Sequence, residues 1–199
     1  RELAMGCYGT TAYFVAKVTC DLLPLRVLPP LIFTAIVYWQ VGLQDEPVVV
    51  ARFAATLVMV NLCAATLALG VGALVRNTAL ANLIASTLSL YELLFCGLLS
   101  HNVASDGSVL YVLQRGSFLN YAFEVLAVNE MVGTSYNLAP KLPGGATPKS
   151  FPASGSVIAA TFGLDLDHMT IDLTMMGIFL GMFLALTYVI LAVFVKERR

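Results

Sequence analysis

Charge is what this sequence has least of. Only 12% of its 199 residues are Asp, Glu, Lys or Arg, and 59% are hydrophobic, against roughly 25% charged in ordinary water-soluble domains. Mean hydropathy is +0.85. A chain of this length has no core large enough to hide so much apolar surface, so its solvent is lipid. The net charge of −1 offers no basic face to a nucleic acid. No G-x-x-x-x-G-K-[ST] loop occurs, which excludes a P-loop nucleotide site within the chain, and H-E-x-x-H and G-x-S-x-G are absent too. No N-x-[ST] acceptor is found. Cys7, Cys20, Cys63 and Cys96 lie in or beside apolar runs, without metal-ligand spacing, and none falls in the long polar segment after residue 101. They are expected to be buried small hydrophobes rather than a disulfide framework. His101 and His168 are isolated and read as surface polar groups. The chain opens on Arg1 without a signal peptide or an initiator Met, which predicts a piece of a longer polypeptide.

What the sequence does have is long uncharged runs. The stretch Lys17 to Leu43, KVTCDLLPLRVLPPLIFTAIVYWQVGL, starts charged, passes Pro24, Pro29 and Pro30, and ends without charge. It predicts a first span over 22–43 that is kinked or begins late, because proline removes a backbone donor and crowds the previous turn. Tyr38 and Trp39 near its far end are expected at the headgroup level. The acidic turn QDEP leads to a second span over 47–75, rich in Ala and Gly and so suited to close helix packing. After Arg76-Asn77 a third span over 78–100 carries Asn82, Ser86, Thr87, Ser89 and Glu92. A lone Glu in an apolar helix is either functional or held near an interface or against a neighbouring helix. The last span, 173–195, runs into KERR. Residues 1–16 form either an amphipathic helix lying on the membrane surface or a frayed stub.

Between the third and fourth spans lies a polar segment, 101–172. Val109 to Met131 is too polar to span and too apolar for a free loop, so a re-entrant or interfacial helix pair fits. Asn137 to Gly155, rich in Pro, Gly, Ser and Ala, reads as an exposed irregular loop. The basic tail, Arg76 in one turn and the acidic QDEP in the other place both termini in the cytoplasm and the long segment outside. Arg52 at the outer end of the second span runs against that rule and is expected to snorkel or to pair with Asp45 or Glu46. The expected class is an all-α, multi-pass membrane protein, in the plasma membrane or an internal one.

The order of features goes further. The run RELAMGCYGTTAYFVAKVTCDLLPLRVLPPLIFTAIVYWQVGL closely resembles the membrane domain of subfamily G ABC transporters, the white and breast-cancer-resistance type. Cys96 to Asn102 (CGLLSHN) resembles the family's Ser-Gly-Leu-Leu, and Asn120 to Met131 (NYAFEVLAVNEM) its Tyr-Gly-Phe-Glu-Ala-Leu-x-x-Asn-Glu-Phe signature. Gly163 to Asp165 and the last helix with its basic tail match as well. Each motif alone is weak, and their combined order is specific.

The resemblance implies helices three to six of a six-helix half, in an ATP-driven exporter of lipids, sterols or other hydrophobic small molecules. Such a half works with a second, identical or different half by alternating access. It implies a nucleotide-binding domain with ATP and Mg elsewhere in the same polypeptide, no cofactor in this chain, and membrane lipids and a hydrophobic substrate as partners. It assigns Glu2, Gly6 and Tyr8 to a coupling helix that receives motion from the ATPase. Arg26, Ser86, Leu90 and Leu93 fall at the substrate cavity, the bland readings being a snorkelling anchor beside Asp21 for Arg26 and ordinary helix packing for the rest. Leu98 and Leu99 match an extracellular valve, where apolar constriction excludes water. Tyr121, Phe123, Glu124, Asn129 and Glu130 carry the re-entrant signature. Two departures stand out: the last external segment has no cysteine, and Met131 replaces the family's Phe. The competing class is a non-transporting four-span structural or adhesive protein, which shares the topology.

Overall fold

A computed structural model describes residues 9–75, 77–97, 109–138, 151–162, 164, 166 and 168–194. Helix α1 (Thr10–Ala16) passes through a π-helical turn (Lys17–Leu22) into α2 (Leu23–Val41). The apolar helix is therefore continuous over Thr11–Val41, where the sequence predicted a start near residue 22. The prolines do not stop it, and at Pro30 the missing donor is replaced. Pro30 has no N–H for the carbonyl of Arg26, and the Asn61 side chain of the next helix donates to that carbonyl instead, at 2.7 Å. Gly42 ends α2 in the left-handed region (φ 73°), with its N–H bonded to the carbonyl of Trp39.

Helix α3 (Pro47–Leu74) starts with Pro in its first turn and ends one residue short of the expected boundary. Its 28 residues reach about 42 Å. Helix α4 (Thr78–Leu94) is capped by Asn77, whose side chain accepts from the N–H of Ala79 at 3.0 Å. It ends at Leu94 rather than at residue 100, through a turn containing Gly97 at φ 88°. Helices α5 (Val109–Arg115) and α6 (Phe118–Met131) occupy the stretch expected to hold two helices, separated by Gly116 and Ser117. Helix α8 (Met169–Phe194) begins four positions earlier than predicted, with Asp172 in its first turn, where a carboxylate suits the helix dipole.

The segment expected to be an irregular loop contains structure. Strands β1 (Ser135–Leu138) and β2 (Phe151–Ser154) pair antiparallel, Ser135 opposite Ser154, and α7 (Gly155–Thr161) follows. The protein is otherwise helical as expected, and the short ribbon corrects only the irregular-loop expectation. Pro152 is tolerated because both strands are edges. Gly155 is required by proximity: a Cβ there would lie 1.9 Å from the carbonyl oxygen of Met131.

Helix α3 is the centre of the molecule, packed against α2, α6 and α8. Cys63, Phe118 and Phe183 form one cluster, with Tyr121, Ala122 and Met176 beside it. Helices α3 and α8 approach closely at Gly70, where an added Cβ would meet Thr187 Oγ1 at 3.0 Å. Thr187 donates to Phe183 O at 2.8 Å and lies 3.3 Å from Thr66 O. Cys63 and Cys96 are buried as expected, whereas Cys20 is exposed on the π-helical turn. The outward faces of the long helices stay apolar: Leu28, Phe33, Ile36, Leu83, Ile178 and Leu186 are all exposed. Among the described residues, three helices are long and apolar enough to cross a membrane, and α4, at 17 residues, is a shorter apolar helix. With lipid as solvent, exposed apolar side chains need no partner.

Candidate functional site

Two polar centres tie the helices together, and both are built on α6. The first joins its C-terminal end to the turn between α2 and α3. Tyr38, fully buried, places its hydroxyl 2.8 Å from Glu130 Oε1 and 2.8 Å from the carbonyl of Gln44. Glu130 Oε2 accepts from the Gln44 N–H at 3.2 Å. The Gln44 side chain returns the contact, with Nε2 at 2.7 Å from Glu130 O and 2.9 Å from Val132 O, and bonded to Thr134 Oγ1. Asn129 donates from Nδ2 to the carbonyl of Val49 at 3.0 Å. The neighbouring ring of Trp39 is exposed and donates to Asp45 at 3.2 Å. Arg52 is exposed and pairs with neither Asp45 nor Glu46 among the described residues. Hydrogen bonds to a charged group contribute about 1.5–3 kcal/mol, so Glu130 fixes the turn firmly to α6.

The second centre is Glu92. It is buried, and its Oε2 accepts from the Ser117 hydroxyl at 2.7 Å and from the Leu119 N–H at 3.4 Å. Ser117 occupies the cap position of α6 without capping it with its own side chain. The carboxylate of α4 therefore caps α6 across the interface, where the helix dipole favours negative charge. The lone Glu of this apolar helix is thus held against a neighbouring helix. Around it, Gln114 Nε2 donates to Asn120 Oδ1 at 2.9 Å, the Tyr121 hydroxyl donates to Arg115 O at 3.1 Å, and the Tyr91 hydroxyl donates to Leu113 O at 2.7 Å.

The residues singled out from sequence are distributed over several places. Tyr121 and Asn129 are buried in α6, and Phe123, Glu124 and Glu130 are half-buried there. Phe123 packs against the cluster of Val128, Ala159 and Leu164. Ser86, Leu90 and Leu93 share one face of α4 at helical spacing. All three are exposed, Leu90 by 66% and Leu93 by 61%. The adjoining face, with Ala85, Ser89 and Glu92, turns towards α3 and α6. Arg26 is exposed on α2 and lines a separate crevice of about 250 Å³ with Lys17, Leu25, Ala65 and Ala68. Among the described residues, Arg26 lines a different crevice from the one bordered by Ala85, Ser89 and Glu92 of α4. Glu2, Gly6 and Tyr8 of the expected coupling helix, and Leu98 and Leu99 of the expected valve, lie outside the described residues. Sequence reasoning missed the roles of Gln44, Asn61 and Ser117. Asn61, a lone amide in an apolar run, was the one signal available.

The family model described as ABC-2 type transporter matches residues 1–131. "ABC transporter G family member 24" of Dictyostelium discoideum is 32% identical over 202 residues, covering 100% of this chain and 17% of that protein. "Broad substrate specificity ATP-binding cassette transporter ABCG2" of Mus musculus is 34% identical over 136 residues, 68% of this chain and 20% of that protein. "ABC transporter ATP-binding protein/permease wht-1" of Caenorhabditis elegans is 26% identical over 188 residues, 91% of this chain and 27% of that protein. The chain thus spans between 17% and 27% of the length of these relatives.

Proposed function

The chain belongs to the membrane-domain family of ABC-2 type transporters, in subfamily G, and on that premise we propose that it forms part of the substrate pathway of an ATP-driven exporter. It is an integral membrane segment. In this reading α2, α3, α4 and α8 are four spans, α5 and α6 are a re-entrant pair, and both ends of the chain face the cytoplasm. A nucleotide-binding domain in the same polypeptide binds ATP and Mg, and a second half completes the pathway. The cargo is a lipid, sterol or other hydrophobic small molecule.

The observation that carries the proposal is the uncovered face of α4. Ser86, Leu90 and Leu93 are aligned on it, and the rest of the described chain packs elsewhere. The Ser86 hydroxyl is already bonded to Asn82 O at 2.8 Å. The face thus presents apolar surface with little unmet polarity, which suits a hydrophobic cargo between two halves. Arg26 contributes from α2, and Leu98 with Leu99 closes the outer end.

The test uses the full-length protein in inside-out vesicles. Cysteines placed at Leu90 and Leu93 should cross-link two halves, and Asp at both Leu98 and Leu99 should abolish export while leaving the cross-link intact. Export that survives the double Asp substitution removes the valve. Failure of the α4 cysteines to cross-link removes α4 from the interface.

A further inference from the structure

Arg26 puts a positive charge on the outward face of α2, between Leu25 and Leu28, which are exposed by 62% and 61%. Asn61 holds this turn through the Arg26 carbonyl at 2.7 Å, but the guanidinium has no hydrogen bond or ion pair among the described residues. The neighbouring helix α3 contains no Asp or Glu. Over Thr10–Val41 the sequence carries two cations, Lys17 and Arg26, and a single acid, Asp21, so the stretch is net positive. An unpaired guanidinium facing lipid is costly, and it lowers that cost by reaching an interface or an anion.

From Trp39 back to Arg26 the helix runs about 20 Å. With the exposed Trp39 ring at the headgroup level and about 30 Å of hydrocarbon, Arg26 lies about 10 Å inside the opposite interface. Lys17, about 13 Å further along the helix, then lies at that interface. Both line one crevice of about 250 Å³ between the start of α2 and α3, with Leu22, Leu25, Ala65 and Leu69 as apolar walls. A second crevice of about 280 Å³ shares Lys17, Ala68 and Leu69 and continues the groove towards Phe14 and Leu191. Lys17 has an interaction of its own within the protein, so the charge in want of a partner is that of Arg26, with Lys17 as a second cation at the same opening. A pure hydrocarbon in the groove would leave Arg26 unpaired, and a cationic amphiphile would be repelled.

We propose that this groove binds an anionic phospholipid, with its phosphate on Arg26 beside Lys17 and an acyl chain against Leu22, Leu25 and Leu69. A guanidinium suits the phosphate because its paired N–H donors match two phosphate oxygens. A snorkelling arginine alone would meet any headgroup, whereas a walled groove with a second cation selects a lipid of net negative charge. The site is separate from the Ser86 face of α4 and needs no transport to operate, so its test is independent of the proposed function.

The test uses the full-length protein in lipid vesicles that carry phosphatidylglycerol, phosphatidylcholine or diacylglycerol with a photoreactive acyl chain. Phosphatidylglycerol should label the peptides containing Leu22–Arg26 and Ala65–Leu69 about fivefold more than phosphatidylcholine, the factor expected of one cation at a membrane surface, and diacylglycerol should stay at background. Arg26→Gln should lower phosphatidylglycerol labelling to the phosphatidylcholine level, whereas Arg26→Lys should keep part of the preference. Ala68→Leu fills the groove with both charges intact and should lower labelling too. Arg26 and Ala68 are exposed, so neither change should disturb the fold, and Arg26→Lys separates loss of charge from loss of structure. An excess of inorganic phosphate should leave the labelling unchanged. Equal labelling by phosphatidylcholine overturns the proposal, as does phosphatidylglycerol labelling that survives Arg26→Gln. Labelling unaffected by Ala68→Leu overturns it as well, since Arg26 would then only snorkel, and displacement by inorganic phosphate would show a site for a free anion instead of a lipid.

Discussion

Removing the amide of Asn61 should destabilise the bundle only while Pro30 is present. The carbonyl of Arg26 has no helical donor, because the residue that should supply it is Pro30. Asn61 Nδ2 takes that role at 2.7 Å, from a different helix. Hydrogen bonds between membrane helices average about 0.6 kcal/mol and reach about 1.7, and an orphaned polar group in an apolar setting costs about 1–3 kcal/mol. Asn61→Leu should therefore cost about 1–2 kcal/mol in the wild-type background. Pro30→Ala restores the N–H to α2, and in that background Asn61→Leu should cost less than about 0.5 kcal/mol. The assay is equilibrium unfolding of the full-length protein in mixed micelles, for the wild type, both single variants and the double variant. A coupling of about 1 kcal/mol is expected. Additivity within about 0.5 kcal/mol would refute the reasoning, because the two residues would then not share one carbonyl.

Three further outcomes follow from the packing. Tyr38→Phe removes the hydroxyl beside Glu130 and should cost about 1–2 kcal/mol, with faster hydrogen exchange confined to Gln44–Glu46 and the C-terminal end of α6. Gly155→Ala places a Cβ against the Met131 carbonyl at 1.9 Å. Since the obstacle is backbone, the ribbon must shift, at about 1–3 kcal/mol, and limited proteolysis beyond Met131 should accelerate. Gly70→Leu should separate α3 from α8 at Thr187 and lower the unfolding midpoint, whereas the same change at Gly72, which has nothing within 4 Å, should be close to neutral.

Much of the helical frame was legible because lipid solvent leaves a plain record. A chain that must satisfy every backbone group internally writes its spans as long apolar runs, so the bounds of α3 were read to within one residue. The late start expected from the prolines did not occur, and at Pro30 the reason is definite. Its cost is local and visible in sequence, but the compensating donor, Asn61, lies on another helix. The ribbon of β1 and β2 escaped notice because two four-residue strands rich in Ser, Asn and Pro carry little alternation. Their pairing is decided by the return of the chain to Thr134 and Gly155, whose backbones meet at 2.7 Å.

The candidate site divides in the same way. That Glu92 sits in an apolar helix, that Asn129 and Glu130 end α6, and that Ser86, Leu90 and Leu93 share a face all follow from helical spacing and the order of residues. Only the tertiary structure decided that Glu92 caps another helix with its carboxylate. It alone showed that Glu130 secures a turn, and that Arg26 is separated from the α4 residues expected beside it. The physical reason is range. Hydropathy and helical period act along the chain and leave their pattern there, whereas a buried carboxylate is defined by the donors that other helices bring to it.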